Sequence, residues 1–201
     1  MFRQLLLSTC AAAAIAPAVA APAPAPGSAG IGVRAAPAGL GVVDAAAPAG
    51  IAQTVRTWES SSADVDGDGV ADLLLNLHNS DAGAVLYSGR TDGRYVPVAR
   101  FGERDRHGCT YADVDGDARL DVYCTMGAGN GTAPPKKNEL YLQPAGGFVG
   151  DIPFTRNVSL RWGVADPLGR GRHARFLNLD HDGRPDLFVG NSAAGPTAPR
   201  A

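Results

Sequence analysis

The chain has 201 residues, a length that suits one domain of ordinary size better than two large ones. Its 26 glycines and 15 prolines are many while lysine and glutamate are scarce, a composition that favours turns and short strands over helices. The formal net charge is −2, with more than half of the 20 acidic residues in three short segments, so the charge predicts no nucleic-acid partner.

Residues 1–20 have the organisation of a secretory signal peptide. Arg3 gives a positive start, an apolar run follows, and an A-x-A cleavage site ends at Ala20. Pro17 ends the apolar run well short of the roughly 20 residues that a membrane-spanning helix needs. A lipobox at Cys10 is a poor alternative, because threonine precedes the cysteine. We therefore predict a secreted, extracellular or periplasmic protein with no membrane span in the mature chain.

The next segment, residues 21–53, consists almost entirely of Ala, Pro, Gly and Val, and its prolines interrupt any periodicity. This composition predicts a disordered linker. From residue 54 to residue 191, short apolar runs alternate with Gly, Asp and Pro turns, which predicts a repeat region of strands. Residues 192–201 are predicted to be a disordered tail.

Three Asp-rich loops of the DxDxDGxxD type recur in the repeat region: loop 1 (residues 64–72), loop 2 (113–121) and loop 3 (178–186). Calcium (Ca2+) takes about six to eight oxygen ligands, and carboxylates at alternate positions of a tight turn can converge on one ion. The seventh residue of each loop is predicted to contribute its backbone carbonyl. The predicted ligands are Asp64, Asp66, Asp68, Val70 and Asp72 in loop 1; Asp113, Asp115, Asp117, Arg119 and Asp121 in loop 2; and Asn178, Asp180, Asp182, Arg184 and Asp186 in loop 3.

The three loops are unequal. Gly69 at the sixth position of loop 1 permits a left-handed turn, whereas loop 2 has Ala118 there, at a cost of about 1–2 kcal/mol if that residue is left-handed. Loop 3 has Asn178 in place of the first aspartate, and its amide oxygen can still coordinate. A single match would also suit a metal-free Asx turn. An EF-hand is excluded, because the twelfth positions are apolar rather than glutamate.

An apolar run follows each loop and predicts a buried strand, at residues 72–76, 121–125 and 186–190. The first two repeats have two further predicted strands each, at 84–87 and 94–98, and at 138–142 and 147–149. Four strands per repeat is the number in a propeller blade. We therefore predict an all-β fold, a partial β-propeller of about two and a half four-stranded blades, over residues 54–101, 102–155 and an incomplete 170–191.

Cys109 and Cys124 are the two cysteines of the predicted mature chain and flank loop 2 on either side. A hairpin folded about that loop brings them together across two strands, and an even pair in an exported protein predicts a disulfide. The bond would stabilise the hairpin by about 3 kcal/mol.

Loops 1 and 3, with Leu73 and Leu187 directly after the last aspartate, resemble FG-GAP/VCBS repeats of integrin-α-like β-propellers. Together with the Asn-Glu-Leu-Tyr segment at 138–141, the layout is most similar to the cartilage acidic protein type of repeat, over about residues 54–191. The resemblance implies calcium within each blade and an extracellular binding or adhesion scaffold. About two and a half blades cannot close a ring, so further blades from a longer chain or an oligomer are implied.

Enzymatic activity is not expected, because the carboxylates are assigned to calcium and neither G-x-S-x-G nor H-E-x-x-H occurs. The main hypothesis is an exported, noncatalytic calcium-binding module for extracellular recognition or adhesion, with an unknown protein or polysaccharide as partner. The alternative is a truncated accessory module of a secreted carbohydrate-active enzyme. Two arginine clusters, within residues 100–106 and 170–175, offer a surface for an acidic polysaccharide. His107 and His173 are interpreted as polar strand residues rather than transition-metal ligands.

Overall fold

The computed structural model describes residues 43–78, 83–102, 105–127 and 136–192. Within these ranges the secondary structure consists of ten strands and a short 3-10 helix at Phe154–Arg156, which confirms the all-β class. No described helix has the length and apolar character needed to cross a membrane. The predicted signal peptide lies outside the described residues, as does the predicted tail from residue 193 onward.

The strands are β1 (Thr57–Ala63), β2 (Asp72–Leu77), β3 (Ala84–Gly89), β4 (Tyr95–Phe101), β5 (Arg106–Ala112), β6 (Asp121–Met126), β7 (Glu139–Tyr141), β8 (Gly150–Ile152), β9 (Gly171–Leu177) and β10 (Asp186–Asn191).

Sheet 1 has the strand order β1-β2-β3-β4-β8. Its first four strands follow one another along the chain, and each pairs antiparallel with the next. Leu74, Leu86 and Ala99 lie side by side on β2, β3 and β4 and are almost fully buried. The apolar run after loop 1 therefore forms an interior strand of the sheet, because it can bury side chains on both faces. These four strands match the first predicted repeat.

Sheet 2 has three strands, in the order β5-β6-β7, and here the prediction of a fourth strand at 147–149 was wrong. The chain instead forms β8, which pairs in parallel with β4 at the edge of sheet 1. Gly147 and Gly150 have positive φ angles of 75° and 69°, and they turn the chain away from β7. Phe148 then packs against the ring of Phe101 at 5.4 Å, so burial of this side chain in the core of sheet 1 decides the pairing.

Sheet 3 is the hairpin of β9 and β10, the two strands on either side of loop 3. Strand β5 of sheet 2 lies between β1 of sheet 1 and β9 of sheet 3 and contacts both. Each of these three strands leads directly into an Asp-rich loop. The three loops are therefore brought to one end of the molecule.

The disulfide predicted from the sequence is present in this structure, between β5 and β6. Cys109 and Cys124 face each other in the strand register, with Cα atoms 4.1 Å apart. Both belong to the largest apolar cluster, which also contains Leu74 and Phe101 of sheet 1 and Val122 of sheet 2. The bond thus holds the loop 2 hairpin at the point where two sheets share one core.

The predicted linker extends too far toward its C-terminal end, since residues 43–53 are described and pack on sheet 1. The backbone N–H of Tyr95 donates to the carbonyl of Ala49 at 2.8 Å. Ile51 packs against the apolar cluster around Leu75, and Gln53 donates to the Tyr87 hydroxyl at 2.9 Å. The sequence did not predict these contacts, because residues 43–53 are mostly Ala, Pro and Gly and contain few large apolar side chains.

Candidate functional site

In loop 1 the ninth residue, Asp72, connects the end of the loop to its start through hydrogen bonds. Its side chain is 1% exposed. Oδ2 accepts from the backbone N–H of Val65 at 2.8 Å, and Oδ1 accepts from the N–H of Gly89 at 2.9 Å. Because Gly89 ends β3, this carboxylate ties the loop to the third strand of the sheet as well as to its own start. With a further bond from the N–H of Asp66 at 3.2 Å, this carboxylate accepts from three backbone donors.

The same arrangement recurs in the other loops. Asp121 Oδ2 accepts from the N–H of Val114 at 2.9 Å, and its Oδ1 accepts from the N–H of Gln143 at 2.8 Å. Burial raises the pKa of Asp121 above its usual value, against the opposing effect of these hydrogen bonds. In loop 3, Asp186 accepts from the N–H of Leu179 at 2.8 Å. The ninth aspartate is therefore a repeated structural element of all three loops.

Loops 1 and 2 each bring three carboxylates together at the first, third and ninth positions. The groups are Asp64, Asp66 and Asp72, and Asp113, Asp115 and Asp121; in each, oxygen atoms lie within 4.8 Å of one another. Oxygen donors that converge in a tight turn can coordinate a metal ion, so each of these two groups could hold one. Within the described part of the chain, loop 3 forms no such group of three, and it has Asn178 at its first position.

The fifth aspartates behave differently from the sequence-based expectation. Asp68 is outside the loop 1 group, and its Oδ1 accepts from the N–H of Val70 at 2.8 Å. In loop 2, Asp117 forms an ion pair with Arg119. In loop 3, Asp182 lies 2.5 Å from Arg184 Nη2. Hydrogen bonds from the Arg184 side chain hold the pKa of Asp182 below its usual value.

The arginine at the seventh position thus has an effect that the sequence analysis missed. It was predicted to supply only a backbone carbonyl, yet its side chain folds back on the fifth aspartate in loops 2 and 3. A guanidinium beside the carboxylates offsets part of the charge that a cation would otherwise neutralise. Loop 1 has Val70 at this position and contains no such internal cation. Its carboxylates therefore keep more uncompensated negative charge than those of loops 2 and 3.

The three loops also differ in which residues have left-handed backbone angles. Both the fourth and the sixth residues have left-handed φ angles, and only the sixth was anticipated. The φ values are 76° and 87° at Gly67 and Gly69, 80° and 66° at Gly116 and Ala118, and 61° and 82° at His181 and Gly183. Loops 2 and 3 therefore each hold one residue with a Cβ in a conformation that favours glycine, while loop 1 has glycine at both positions.

In loop 2 the first carboxylate is surrounded by backbone donors. Desolvation acts to raise the pKa of Asp113, but hydrogen bonds from the N–H groups of Ala118, Gly116 and Asp117 outweigh it and lower the pKa. In loop 1, Asp64 accepts the corresponding bond from Gly69. The loops therefore hold their first carboxylate in place through their own backbone.

The loops lie in a row with a cleft between each adjacent pair. A cleft of about 350 Å³ separates loop 1 from loop 2, with Asp66 on one wall and Arg119 on the other. A second cleft of about 510 Å³ lies between loops 2 and 3, lined by Asp115, Asp180 and Trp162. Gln143 joins the first two loops, since its side-chain amide donates to the carbonyl of Val65.

A second cluster lies at the opposite ends of the same strands. Trp58, His107 and Arg172 each stand six residues before a loop, on β1, β5 and β9. The Trp58 and His107 rings are 4.6 Å apart, and His107 Nδ1 lies 2.5 Å from Arg172 Nη1. His78 and Asp105 complete this cluster. From the sequence, His107 was named as a polar strand residue and Arg172 as part of an arginine cluster, but Trp58 was not named. The signal that links the three is their equal distance of six residues before a loop.

Among the described residues of the two predicted arginine clusters, Arg106 and Arg170 are buried, whereas Arg100 and Arg175 are exposed. Arg106 is 3% exposed, and its guanidinium contacts Glu139 at 2.7 Å. Arg170 is also buried. Because buried arginines need acceptors, Arg106 also donates to the backbone carbonyls of Phe101 and Gly102. Arg106 therefore joins β5 to β7 and to the end of β4.

Comparison with protein families gives a match to the FG-GAP-like repeat over residues 64–124. The matched segment begins at the first aspartate of loop 1 and ends at Cys124 in β6, so it includes both carboxylate groups. Loop 3 lies beyond the matched segment. No curated protein matches the chain. The resemblance to FG-GAP repeats inferred from the sequence is thus confirmed over residues 64–124, where this all-β chain matches an FG-GAP-like repeat.

Proposed function

We propose that this chain is an exported, noncatalytic calcium-binding module for extracellular recognition or adhesion, built as part of a β-propeller. The observation that carries the proposal is loop 1, where Asp64, Asp66 and Asp72 converge within an FG-GAP-like repeat. The disulfide between Cys109 and Cys124 supports an oxidising location outside the cytoplasm. The predicted signal peptide supports the same location.

The propeller interpretation is supported by the position of the three loop-bearing strands. Adjacent blades of a propeller place their first strands side by side around a central axis. Here β5 lies between β1 and β9, and each is the first strand along the chain of its own sheet. In this interpretation sheets 1, 2 and 3 are successive blades, about two and a half in all. Additional blades from a longer chain or from a second copy would complete the ring.

A calcium ion in loop 1 would be held by the carboxylates of Asp64, Asp66 and Asp72, with Asp68 and the carbonyl of Val70 as the further predicted donors. It would supply charge neutralisation, because three carboxylates in one turn repel one another. The loop residues contribute the rest, since two glycines accept the left-handed turns and Asp72 fixes the loop to β3. The role of the ion is therefore structural: it stiffens one end of the sheet for binding.

Calorimetric titration of the mature chain with calcium tests this proposal. We expect calcium binding and a midpoint of thermal unfolding that rises with calcium concentration. Asp66→Asn removes one carboxylate of the exposed loop 1 group and should weaken binding. Asp92→Asn is the matched control, because Asp92 also caps an exposed turn, through the N–H of Arg94, but lies outside the loops. Absence of calcium binding by the wild-type chain would refute the proposal.

A second candidate is an accessory module of a secreted carbohydrate-active enzyme. Trp58 favours it, because it is 52% exposed and its ring lies beside the imidazoles of His78 and His107, and aromatic faces with polar neighbours suit sugar rings. Retention of the chain on insoluble polysaccharides, lost in Trp58→Ala, would support this candidate. Equal behaviour of both proteins on every polysaccharide would exclude it.

A further inference from the structure

Two imidazoles and one carboxylate converge at the end of the strands opposite the Asp-rich loops. His78 directly follows β2, Asp105 directly precedes β5, and His107 lies within β5. Asp105 Oδ1 is 3.2 Å from His78 Nδ1 and 2.9 Å from His107 Nε2. The three donor atoms lie within 4.8 Å of one another. Sheets 1 and 2 thus contribute to one cluster, which we name the histidine triad.

The triad is enclosed and preorganised. Asp105 and His107 are 6% and 4% exposed, and Nδ1 of His78 is a buried atom without a hydrogen bond of good geometry. Gly127 lies so close that a Cβ there would contact both the Asp105 carboxylate and His107 Nε2. Trp58 covers the two imidazoles, with ring centroids 4.9 Å from His78 and 4.6 Å from His107. The three donors are therefore packed together where β2 ends and β5 begins.

The donor set is unlike that of the loops. Imidazole nitrogens with one carboxylate are ligands for divalent transition metals, whereas calcium takes oxygen alone. Metal–ligand bonds of about 2.0–2.2 Å place neighbouring donor atoms about 3 to 3.5 Å apart, which the two contacts to Asp105 Oδ1 match closely. We propose that His78, Asp105 and His107 bind a divalent transition-metal ion of the zinc class, at a site separate from the calcium loops.

Arg172 competes with this ion. Its Nη1 lies 2.5 Å from Nδ1 of His107, so that nitrogen accepts a hydrogen bond in this structure. A metal on Nε2 requires the proton on Nδ1, and a guanidinium cannot accept it. Arg172 must then move away on metal binding, which its half-buried side chain permits. Replacing Arg172 by glutamine removes the positive charge and offers a carbonyl oxygen to the Nδ1 proton.

The test is calorimetric titration of the intact chain with zinc while excess calcium occupies the loops. We expect about one zinc per chain in the wild type, and a loss of affinity of at least about tenfold in His78→Gln, His107→Gln and Asp105→Asn. Arg172→Gln should bind zinc more tightly. His181→Gln is the control, because this histidine lies in loop 3 and should leave affinity unchanged. Cobalt gives a second readout, through visible absorption bands that the triad variants lose.

A wild-type chain that takes up no zinc or cobalt would overturn the proposal, and the triad would then be a hydrogen-bonded network. Equal zinc affinity in the wild type and the triad variants would also overturn the proposal, because the zinc would then bind at a different site. Thermal unfolding of each variant controls for folding. Asp105→Asn keeps the side-chain shape, and Arg172→Gln leaves all three ligands in place, so at least one informative variant remains if the histidine substitutions unfold. Because calcium binding is measured separately, failure here does not affect the proposed function.

Discussion

Nδ1 of His173 lies 3.3 Å from Oε1 of Glu59, and the pair meets over Gly108. The three residues occupy the same position, five residues before their loops, on β9, β1 and β5. Strands from three different sheets therefore approach one another at this level. The ion pair between Glu59 and His173 depends on Gly108, which has no side chain, in the strand between them.

Gly108→Ala is expected to destabilise the protein by about 1–3 kcal/mol, because an added methyl group must force packed strands apart. A Cβ at this position would lie 2.5 Å from Glu59 Oε2 and 2.9 Å from the carbonyl oxygen of Arg172. Urea denaturation measures the loss. Gly146→Ala is the control, since a Cβ there meets no atom within 4 Å and φ is not positive. Equal effects of the two substitutions would contradict the close approach of the strands.

Ala118→Gly is expected to stabilise the protein by about 1 kcal/mol, because Ala118 has a φ of 66° and glycine accepts this angle without a steric cost. The backbone N–H of residue 118 keeps its hydrogen bond to Asp113 in the variant. Thermal unfolding in chelator measures the gain without any contribution from calcium.

Ala145→Gly is the matched control for this substitution. Ala145 is exposed, like Ala118, but its φ is not positive, so glycine should only increase the entropy of the unfolded chain there. We expect no stabilisation at this position. If both substitutions destabilise the protein to the same extent, the left-handed turn of loop 2 carries no strain.

The sequence predicted the local features of the fold well, because each depends on residues close together in the chain. The loops, the apolar strands that follow them and the pairing of Cys109 with Cys124 all belong to single hairpins. The position of β8 could not be predicted in this way. It depends on Phe148 burying its ring against Phe101, a contact between residues far apart in sequence.

The candidate sites show the same limit. The Asp-rich loops are contiguous, so their spacing alone identifies them. The histidine triad joins His78 of sheet 1 to Asp105 and His107 of sheet 2. Nothing in the spacing of these residues indicates that the end of β2 lies beside the start of β5. The equivalence of Trp58, His107 and Arg172 across repeats was the signal available in the sequence.

Asp72→Asn is expected to reduce the free energy of unfolding by about 1–3 kcal/mol even in chelator, because one carboxylate oxygen becomes an amide that cannot accept from a backbone donor. Asp72 accepts from Val65 and Gly89 in a buried position, so the effect does not require calcium. Asp66→Asn, at an exposed position, should lower stability mainly when calcium is present. Denaturation of both variants with and without calcium separates the two roles. If Asp72→Asn lowers the free energy of unfolding only when calcium is present, Asp72 acts through the ion and not through its hydrogen bonds in the hairpin.

The arginine at the seventh position predicts how the loops differ in calcium affinity. Val70→Arg should weaken calcium binding to loop 1, because it introduces the guanidinium that pairs with Asp117 in loop 2 and with Asp182 in loop 3. Arg119→Val and Arg184→Val make the converse change and should strengthen calcium binding to their loops. Calorimetric titration at low and high salt measures both effects, which should shrink as added salt screens the charges. Arg90→Val, in the turn between β3 and β4, controls for a general change in net charge. An identical response to Arg90→Val and Arg119→Val would show that net charge, rather than the internal ion pair, determines calcium affinity.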